Sequence, residues 1–300
     1  MDIRHLRYFV AVAEERHVTR AAERLGIQQP PLSQQIKALE EELEVRLFHR
    51  KPRGVELTDA GEALLPDARR ILADVEAALL RVRRTARGEQ GRIAVGFTSS
   101  VPFHPFVPEA LRDYRESHPL VSMPLEEGGT ADLVAAIAAE RLDVAFIRSP
   151  ASDAEGIAVY ELLNEPMVVA LPAAHRLGQR KRPARIRLAE LADEPFVLYR
   201  RASGPGLYDA ITGACHAAGF TPRLEQEAPR IVATLNLVAA GLGVTLVPES
   251  LSSMHLDGVR FRALSRNEAP RAPIRLACRR TDHSAAARLF VEDVRRKARA

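Results

Sequence analysis

The polar residues best suited to contacting a nucleic acid follow a pair of prolines near the start of the chain. Ser33, Gln34 and Lys37 lie on one side of a predicted helix, near its amino end. Amide and hydroxyl groups hydrogen-bond to base edges, and lysine suits guanine or a phosphate. The polar face of a small helical bundle would have the same composition, so these residues alone leave both interpretations open.

A cluster of cations follows that helix. Arg50, Lys51 and Arg53 share a short segment with Pro52 and Gly54, a composition typical of a tight turn. Three cations beside a base-contacting helix suit phosphate contacts, which position a protein on the duplex. An ordinary solvated loop is the alternative. Because acidic and basic side chains are nearly balanced over residues 1–57, placement rather than net charge carries this signal.

A second set of polar residues suits a small anion. Residues 98–100, 128–130 and 202–204 are rich in hydroxyl groups or glycine and lie between predicted strands and predicted helices. Ligands of open α/β sheets bind beyond the carboxyl ends of strands, and helix amino termini favour negative charge. Arg148 directly follows another strand and adds a fixed charge for a carboxylate. Helix capping by the hydroxyls and an ion pair for the arginine are the alternatives. The predicted effector-binding residues are Thr98, Ser99, Ser100, Thr130, Arg148 and Ser203.

Motifs for catalysis or cofactor binding do not occur in the sequence. We find no H-E-x-x-H, C-x-x-C, G-x-S-x-G or P-loop pattern. The segment Gly241–Leu246 begins like a dinucleotide fingerprint, but it ends in leucine and leads from a helix into a strand, which indicates a turn. Cys215 and Cys278 are too few for a disulfide framework or a zinc finger, and no neighbouring residue favours a reactive thiolate. We therefore predict a protein that is not an enzyme and uses no cofactor or metal.

The elements that position the first set are three short helices and a hairpin. The second helix is predicted to be capped by Thr19 and ended by Gly26, and the third begins at Pro30-Pro31. Residues 47–57 form a predicted two-stranded wing. A short helix, a glycine turn and a further helix are the helix-turn-helix pattern. The third helix is predicted to bury Leu32, Ile36, Leu39 and Leu43.

A long helix follows the wing and ends before Gly88. Thr58 is its predicted cap, and Pro66 is expected to bend or loosen its first turns. Apolar or small residues recur along it from Gly61 to Val82 as a heptad stripe. A rod of about 40 Å with one apolar stripe requires a partner. A second copy of the chain is the predicted partner, and packing against the chain's own carboxyl-terminal domain is the alternative.

From Gly91 onward, strands alternate with helices, which predicts parallel sheets flanked by helices. Strands are expected at 92–97, 121–126, 143–147, 166–171, 195–199, 243–247 and 273–278, with a last helix over 284–296. Breaks near Asn164 and over 266–272 would let the chain cross into a second lobe and return.

Composition places the chain among folded proteins rather than disordered ones. The 300 residues are 46% hydrophobic and 27% charged, and the net charge is +4. The length favours two or three domains. No apolar stretch reaches the roughly 18 residues of a membrane span, and the amino terminus lacks a signal-peptide core. We expect a cytoplasmic protein with no membrane partner.

Several segments taken together resemble the LysR-type transcriptional regulators. They are Thr19–Leu25, Gln29–Ser33, Ile36–Leu43, Leu47–Arg50 and Leu57–Gly61, in this order. The resemblance extends the predicted DNA contacts to Gln29, Pro30 and Pro31. In this chain Gln34 replaces an arginine found in many members, so its base preference is expected to differ.

The resemblance covers the whole chain and implies its architecture. The fold class is α/β, with an all-α winged helix-turn-helix over 1–58, a linker and dimerisation helix over 59–88, and a two-lobed effector domain over 89–300 that resembles periplasmic binding proteins. Lobe I is expected at about 91–163 and 270–300, and lobe II at about 164–269. Over Gly96–Ser100, Gly129–Thr130 and Asp143–Arg148, the effector half is most similar to regulators of aromatic-compound breakdown.

The resemblance also implies the partners. They are promoter DNA, RNA polymerase, a small-molecule inducer, and further copies of the chain as a homodimer through the linker helix, commonly a homotetramer. The inducer is predicted to be an organic or aromatic carboxylate, and an activator role is expected. Two rival functions remain open from the residues alone, a metabolite-binding protein that merely dimerises through its first segment, and an architectural DNA binder without ligand control.

Overall fold

The computed structural model describes residues 1–149, 155–179 and 185–299, and for Ser203 it describes the backbone alone. These residues form two compact units that divide between Arg84 and Thr85. The first unit is mainly helical, and the second combines helices with a mixed sheet. Among the described residues, no helix has both the length and the apolar character that crossing a membrane requires.

The first unit contains the predicted three helices and hairpin. Its elements are α1 (Ile3–Glu15), α2 (Val18–Leu25), α3 (Gln29–Leu43), β1 (Phe48–Lys51) and β2 (Gly54–Leu57). One apolar cluster holds them together, and the side chains of Phe9, Leu32 and Leu39 in it are fully buried. A glycine in the left-handed region, Gly26 at φ +68°, ends α2 as the sequence predicts.

The start of α2 differs from the prediction. Thr19 lies inside the helix rather than at its cap, and His17 occupies the N-cap position without a side-chain capping bond. The helix therefore begins two residues earlier than the composition suggested. Its stability must come from packing, because both Ala21 and Ala22 are buried in the cluster.

The long helix α4 (Asp59–Ala86) begins as predicted. The Thr58 hydroxyl accepts a hydrogen bond of 3.0 Å from the amide of Gly61, and the helix continues through Pro66. Gly61 and Ala68 are buried, whereas three apolar residues near the far end are exposed to 46–68%. These exposed residues are Leu79, Leu80 and Val82.

Lobe I of the second unit is built on parallel strands. After β3 (Gln90–Arg92), the strand β4 (Val95–Phe97) lies between later strands, and α5 (Phe106–Ser117) follows it. The expected single strand over 121–126 is two short ones, which are β5 (Leu120–Ser122) and β6 (Leu125–Glu127). The next elements are α6 (Thr130–Ala138) and β7 (Val144–Ile147), and β4 pairs in parallel with both β6 and β7.

Two long strands carry the chain between the lobes. They are β8 (Ile157–Pro172) and a late strand over Arg271–Arg279, and they pair with each other antiparallel. The predicted break near Asn164 is wrong, because Asn164 lies inside β8 and pairs with Pro273. The all-parallel expectation is wrong at this point too. A chain that leaves a lobe and returns beside its own outgoing strand must run antiparallel to it.

Lobe II lies between these two crossings. Its described elements are β9 (Pro195–Tyr199), α7 (Pro205–Ala217), β10 (Arg223–Ala228), α8 (Ile231–Ala239), β11 (Thr245–Pro248) and β12 (Val259–Ala263). Strand β10 is parallel to β9, while β11 and β12 are antiparallel to β8. The returning strand is β13, and α9 (Ala285–Lys297) then packs on α5 in lobe I, where the Tyr114 hydroxyl donates to the carbonyl of Ala286 over 2.9 Å.

We predict that Gly61→Ala destabilises the first unit. A Cβ atom at Gly61 would lie 2.3 Å from the carbonyl oxygen of Leu47, and backbone atoms cannot yield as a flexible side chain does. Thermal unfolding should show a loss of about 1–3 kcal/mol. The matched control is Gly213→Ala, inside α7, where a Cβ atom meets nothing within 4 Å and a gain of about 0.5–1 kcal/mol is expected. Equal effects at the two glycines would contradict the close approach.

Candidate nucleic-acid interface and effector cleft

The amino end of α3 presents the polar residues predicted to contact bases. Gln29, Gln34 and Lys37 are exposed, together with both prolines, and Ser33 is half-buried. The Gln29 amide donates to the Ser33 hydroxyl over 2.8 Å, and the Lys37 ammonium lies 3.1 Å from the Glu41 carboxylate. The first turn of α3 therefore offers amide and hydroxyl groups rather than a concentrated charge.

The hairpin carries the three predicted cations. Arg50, Lys51 and Arg53 are all exposed, and within the described residues Lys51 alone of the three has an acidic partner, Glu56 at 3.1 Å. Lys51 pairs with Gly54 in the strand register, so the cations surround the tip of the hairpin. This arrangement suits contacts to a phosphate backbone.

A buried carboxylate, Glu40, connects α3 to the hairpin. It is 8% exposed and accepts hydrogen bonds from the amides of Leu47 and Phe48 at 2.8 and 3.2 Å. Arg46 adds an ion pair of 3.0 Å. Sequence reasoning did not identify Glu40. It predicted that α3 buries Leu43, which is instead 38% exposed. Glu40 therefore fixes the hairpin relative to α3, and the polar residues of both elements keep a constant spacing.

Five of the six predicted effector residues line one small cavity of about 30 Å³ in the second unit. The side chain of the sixth, Ser203, lies outside the described part of the structure. Residues of lobe II complete the wall opposite them, so the cavity is a cleft between the lobes. The five residues are Thr98, Ser99, Ser100, Thr130 and Arg148, and the lobe II wall includes Tyr199, Leu207, Pro229, Arg230 and Ile231.

The topology of lobe I explains why these residues meet. Thr98 to Ser100 follow β4, Thr130 begins α6 just after β6, and Arg148 follows β7. Since β4 pairs in parallel with both β6 and β7, the carboxyl ends of all three strands lie at one edge of the sheet. Side chains placed just beyond that edge must lie close together.

Three hydroxyl groups of the cleft lack a hydrogen-bond partner among the described residues. They belong to Thr98, Thr130 and Tyr199, which are 5–7% exposed. Burial raises the pKa of Tyr199, so its hydroxyl remains a neutral donor. A buried polar group without a partner is unfavourable unless a water molecule or a ligand satisfies it. The cleft is thus prepared to donate hydrogen bonds to a ligand.

Arg148 lines the cleft, but its guanidinium is engaged by the protein. It is 3% exposed and hydrogen-bonds to the hydroxyl and carbonyl of Ser100 at 3.1 and 3.3 Å, the carbonyl of Ala272 at 2.8 Å and the carboxylate of Glu165 at 2.8 Å. Burial lowers the pKa of Arg148, and the charge of Glu165 opposes that shift. The ion pair that the sequence left open as an alternative is therefore present, and a ligand carboxylate could bind Arg148 bidentately only by displacing these acceptors.

The acidic partner of Arg148 belongs to the strands that cross between the lobes. Glu165 lies in β8 and also accepts hydrogen bonds from the amide and hydroxyl of Ser250 at 2.7 and 3.1 Å. Ala272 lies in β13. No sequence pattern indicated Glu165, because its partner is 17 residues away and reaches it only through the sheet.

The cysteines do not form a reactive site. Both are buried, and burial raises the pKa of the Cys215 thiol to about 12 and also raises the pKa of Cys278. Such thiols are poor nucleophiles near neutral pH. Within the described ranges, no three His, Cys, Asp or Glu residues are grouped to hold a metal ion.

Comparison with known proteins finds two matching families and many relatives. Residues 3–62 match "Bacterial regulatory helix-turn-helix protein, lysR family", and residues 86–299 match "LysR substrate binding domain". The HTH-type transcriptional regulator BudR of Raoultella terrigena is 38% identical, covering 97% of this chain and 99% of BudR. For BenM of Acinetobacter baylyi the identity is 36%, covering 95% and 92%. The solved structure of full-length CbnR complexed with its target DNA has a TM-score of 0.85 at 31% identity, covering 99% of this chain and 100% of that chain.

We predict that the hairpin cations bind DNA independently of its sequence. Arg53→Ala should weaken binding to random-sequence duplex DNA and reduce the slope of log K against log salt by about 1, because one phosphate contact is lost. Glu56→Gln should strengthen binding about two- to fivefold, since it frees Lys51 from an exposed ion pair. Fluorescence anisotropy across a salt series measures both effects. Glu76→Gln, which removes the same charge from α4, is the control, and an equal gain there would exclude a role for the Lys51 pair.

We predict a large stability difference between breaking and replacing the buried ion pair. Arg148→Met leaves the Glu165 charge buried without its cation and should cost about 3–5 kcal/mol. The double variant Arg148→Met/Glu165→Leu removes both charges and should lose clearly less. Urea unfolding of the full chain measures this difference. Arg176→Gln, which breaks an exposed pair with Glu194, should cost at most about 1 kcal/mol. A double variant as unstable as the single one would contradict the role of the unpaired charge.

Proposed function

Because the chain belongs to the LysR family of transcriptional regulators, we propose that it binds promoter DNA through α3 and the hairpin and responds to a small organic acid in the cleft between its lobes. Family membership confirms the predicted family, the fold class of helix-turn-helix plus two-lobed α/β domain, and a regulator rather than an enzyme. Of the two rival functions, the metabolite-binding protein leaves the family match of residues 3–62 without a role. The architectural DNA binder leaves the cleft without one. We retain 1–58, 59–88 and 89–300 as the proposed functional domains.

The observation that carries the ligand proposal is the set of unpartnered hydroxyls of Thr98, Thr130 and Tyr199. They lie where the amino ends of α6, α7 and α8 also face the cleft, through Thr130, Gly204 and Ile231. Helix amino termini carry free N–H groups and partial positive charge, which stabilise an anion. Hydroxyl donors and helix termini together favour a carboxylate over a cation or a neutral apolar molecule.

The lobe II wall supports an acid with an apolar body. Leu207, Pro229, Ile231 and the ring of Tyr199 face the polar residues of lobe I across the cleft. The cavity of about 30 Å³ is far smaller than a usual ligand site, so the cleft must widen before such an acid can bind. An aromatic monocarboxylate combines a charged end for lobe I with a flat apolar face for lobe II, in agreement with the resemblance to regulators of aromatic breakdown.

We further propose that two chains associate through the exposed apolar residues of α4. Leu79, Leu80 and Val82 would gain free energy by packing against the same residues of a second copy. A two-fold dimer would present two copies of α3 to two half-sites of a promoter. Pairs of dimers would give a homotetramer. Ligand binding would favour one arrangement of the lobes, alter DNA bending and so alter contact with RNA polymerase, which would activate transcription.

We predict that benzoate raises the thermal unfolding temperature of the full chain and that benzamide, its uncharged analogue, does not. A ligand that binds only the folded state stabilises it by mass action, so the shift reports binding. Acetate, which has the charge without the ring, should give a smaller shift than benzoate. Benzoate and benzamide giving equal shifts would contradict an anion site.

Substitution of a cleft hydroxyl tests where benzoate binds. Thr130→Val should weaken benzoate binding about tenfold, because a hydrogen bond to a charged group is lost. The control Thr212→Val removes a hydroxyl that bonds to the carbonyl of Tyr208 and does not line the cleft, so it should leave the affinity unchanged. Benzoate should also change the promoter footprint in wild-type protein and not in Thr130→Val.

A further inference from the structure

A second ion pair joins the lobes at the cleft. The guanidinium of Arg230, in lobe II, lies 2.5 Å from the carboxylate of Glu127, in lobe I. Arg230 lines the cavity and directly precedes α8, whereas Glu127 ends β6 three residues before Thr130. Both partners are therefore attached to elements whose ends face the ligand space, and the pair spans the cleft.

Arg230 and Arg148 differ in the way that matters for binding an anion. The two are the cations among the described residues that line the cleft. Arg148 is 97% buried, since its exposed fraction is 3%, and it hydrogen-bonds to Ser100, Glu165 and Ala272, so releasing it would leave the Glu165 charge buried. Arg230 is 63% exposed and its Glu127 partner is 35% exposed. Exposed pairs of this kind are weak and exchange readily, because water solvates both charges when they separate.

A further contact between the lobes is a neutral hydrogen bond. The amide of Gly206, in the first turn of α7, donates to the Ser149 hydroxyl over 2.8 Å, and a Cβ atom at Gly206 would lie 2.7 Å from the Ser149 Cα atom. The lobes therefore approach to backbone contact here. The Ser149–Gly206 contact shares no residue with the Glu127–Arg230 pair, so opening the pair does not itself remove this hydrogen bond.

We propose that Arg230 is the cation that pairs with the carboxylate of the effector, and that Glu127 is a built-in competitor that occupies Arg230 and holds the lobes together until the effector replaces it. The inference rests on the proposed function, because it assigns a residue to the same cleft. A stronger Glu127–Arg230 pair should therefore favour closed lobes and lower the affinity of the cleft for the effector. The Glu127 carboxylate that closes the empty cleft also competes with the ligand.

The role of the Glu127–Arg230 pair in holding the lobes together is tested first without any ligand, by hydrogen–deuterium exchange of the full chain. Glu127→Gln and Arg230→Gln should each speed exchange of the amides at 128–131 and 231–234 about two- to fivefold, in line with the strength of an exposed pair. The charge-swapped variant Glu127→Arg/Arg230→Glu should restore slow exchange. Arg176→Gln is the matched control, since Arg176 is 64% exposed and pairs with Glu194 inside lobe II. Unchanged exchange in both single variants would show that the Glu127–Arg230 pair does not hold the lobes together.

Competition is tested by calorimetric titration with benzoate and with acetate. Glu127→Gln should bind benzoate about two- to fivefold more tightly than wild type, because the competitor is gone. Arg230→Gln should bind about tenfold more weakly, because the counter-ion is gone, and Arg230→Lys should recover part of the loss. A purely structural role predicts the same sign for both variants, which would overturn the proposal.

The two proposals fail differently. If wild type binds benzoate and loses it in Thr130→Val but not in Arg230→Gln, the cleft is the effector site and the role of Arg230 is wrong. If wild type binds neither acid, the proposed ligand class is wrong and the exchange of Arg230 between Glu127 and an effector is rejected with it. In that case the hydrogen-exchange result still decides whether the pair holds the lobes closed.

Discussion

The buried ion pair between Arg148 and Glu165 is the interaction on which the two-lobed unit depends. Both charges are more than 90% removed from water, which is unfavourable unless each is fully hydrogen-bonded. The protein meets that requirement with Ser100 from lobe I, Ser250 from lobe II and the backbone of Ala272 on β13. The pair therefore needs both lobes and both crossing strands in place together. It holds the two lobes together where the strands cross between them. It also occupies Arg148, so this guanidinium is not available to a ligand.

Because the buried pair joins the lobes where the strands cross, the contacts across the rest of the cleft can be weak. Other contacts between the lobes at the cleft include a neutral hydrogen bond at Ser149 and an exposed ion pair at Arg230. Neither contributes more than about 1–1.5 kcal/mol. A small acid can compensate for losses of that size with a few hydrogen bonds of its own. A regulator that responds to a metabolite requires contacts of intermediate strength across its cleft. A cleft closed by buried charges would not open, and a cleft with no contacts would not change its lobe arrangement when a ligand binds.

The sequence was most informative where function depends on local order. Gly26, the Pro30-Pro31 pair and the Thr58 cap each determine a helix end through backbone chemistry within a few residues, so the helix-turn-helix and the long helix were predictable. The lobe I side of the cleft was predictable for a similar reason, since Thr98, Thr130 and Arg148 follow strands and strand ends meet at one sheet edge.

Long-range partners were not predictable. Glu40, Glu165 and Arg230 appear in the sequence as ordinary charged residues, because their partners are defined only by the folded chain. Strand β10 was missed because five of its six residues are exposed, which removes the apolar signal of a buried strand. The direction of the crossing strands was also missed, since the alternation of strands with helices along the chain does not show which way a returning strand runs.

The chain just after the long helix packs closely against the last helix of the second unit. Gly88 follows α4 at φ +74°, and a Cβ atom there would lie 2.7 Å from the backbone of Ala285, at the start of α9. Helix α9 in turn packs on α5 through Phe290 and Tyr114, whose rings meet edge to face at 5.0 Å. Because backbone lies directly on backbone at Gly88, no flexible side chain can absorb a displacement. The contact therefore joins the chain just after α4 to α9, and through α9 to α5, within the second unit.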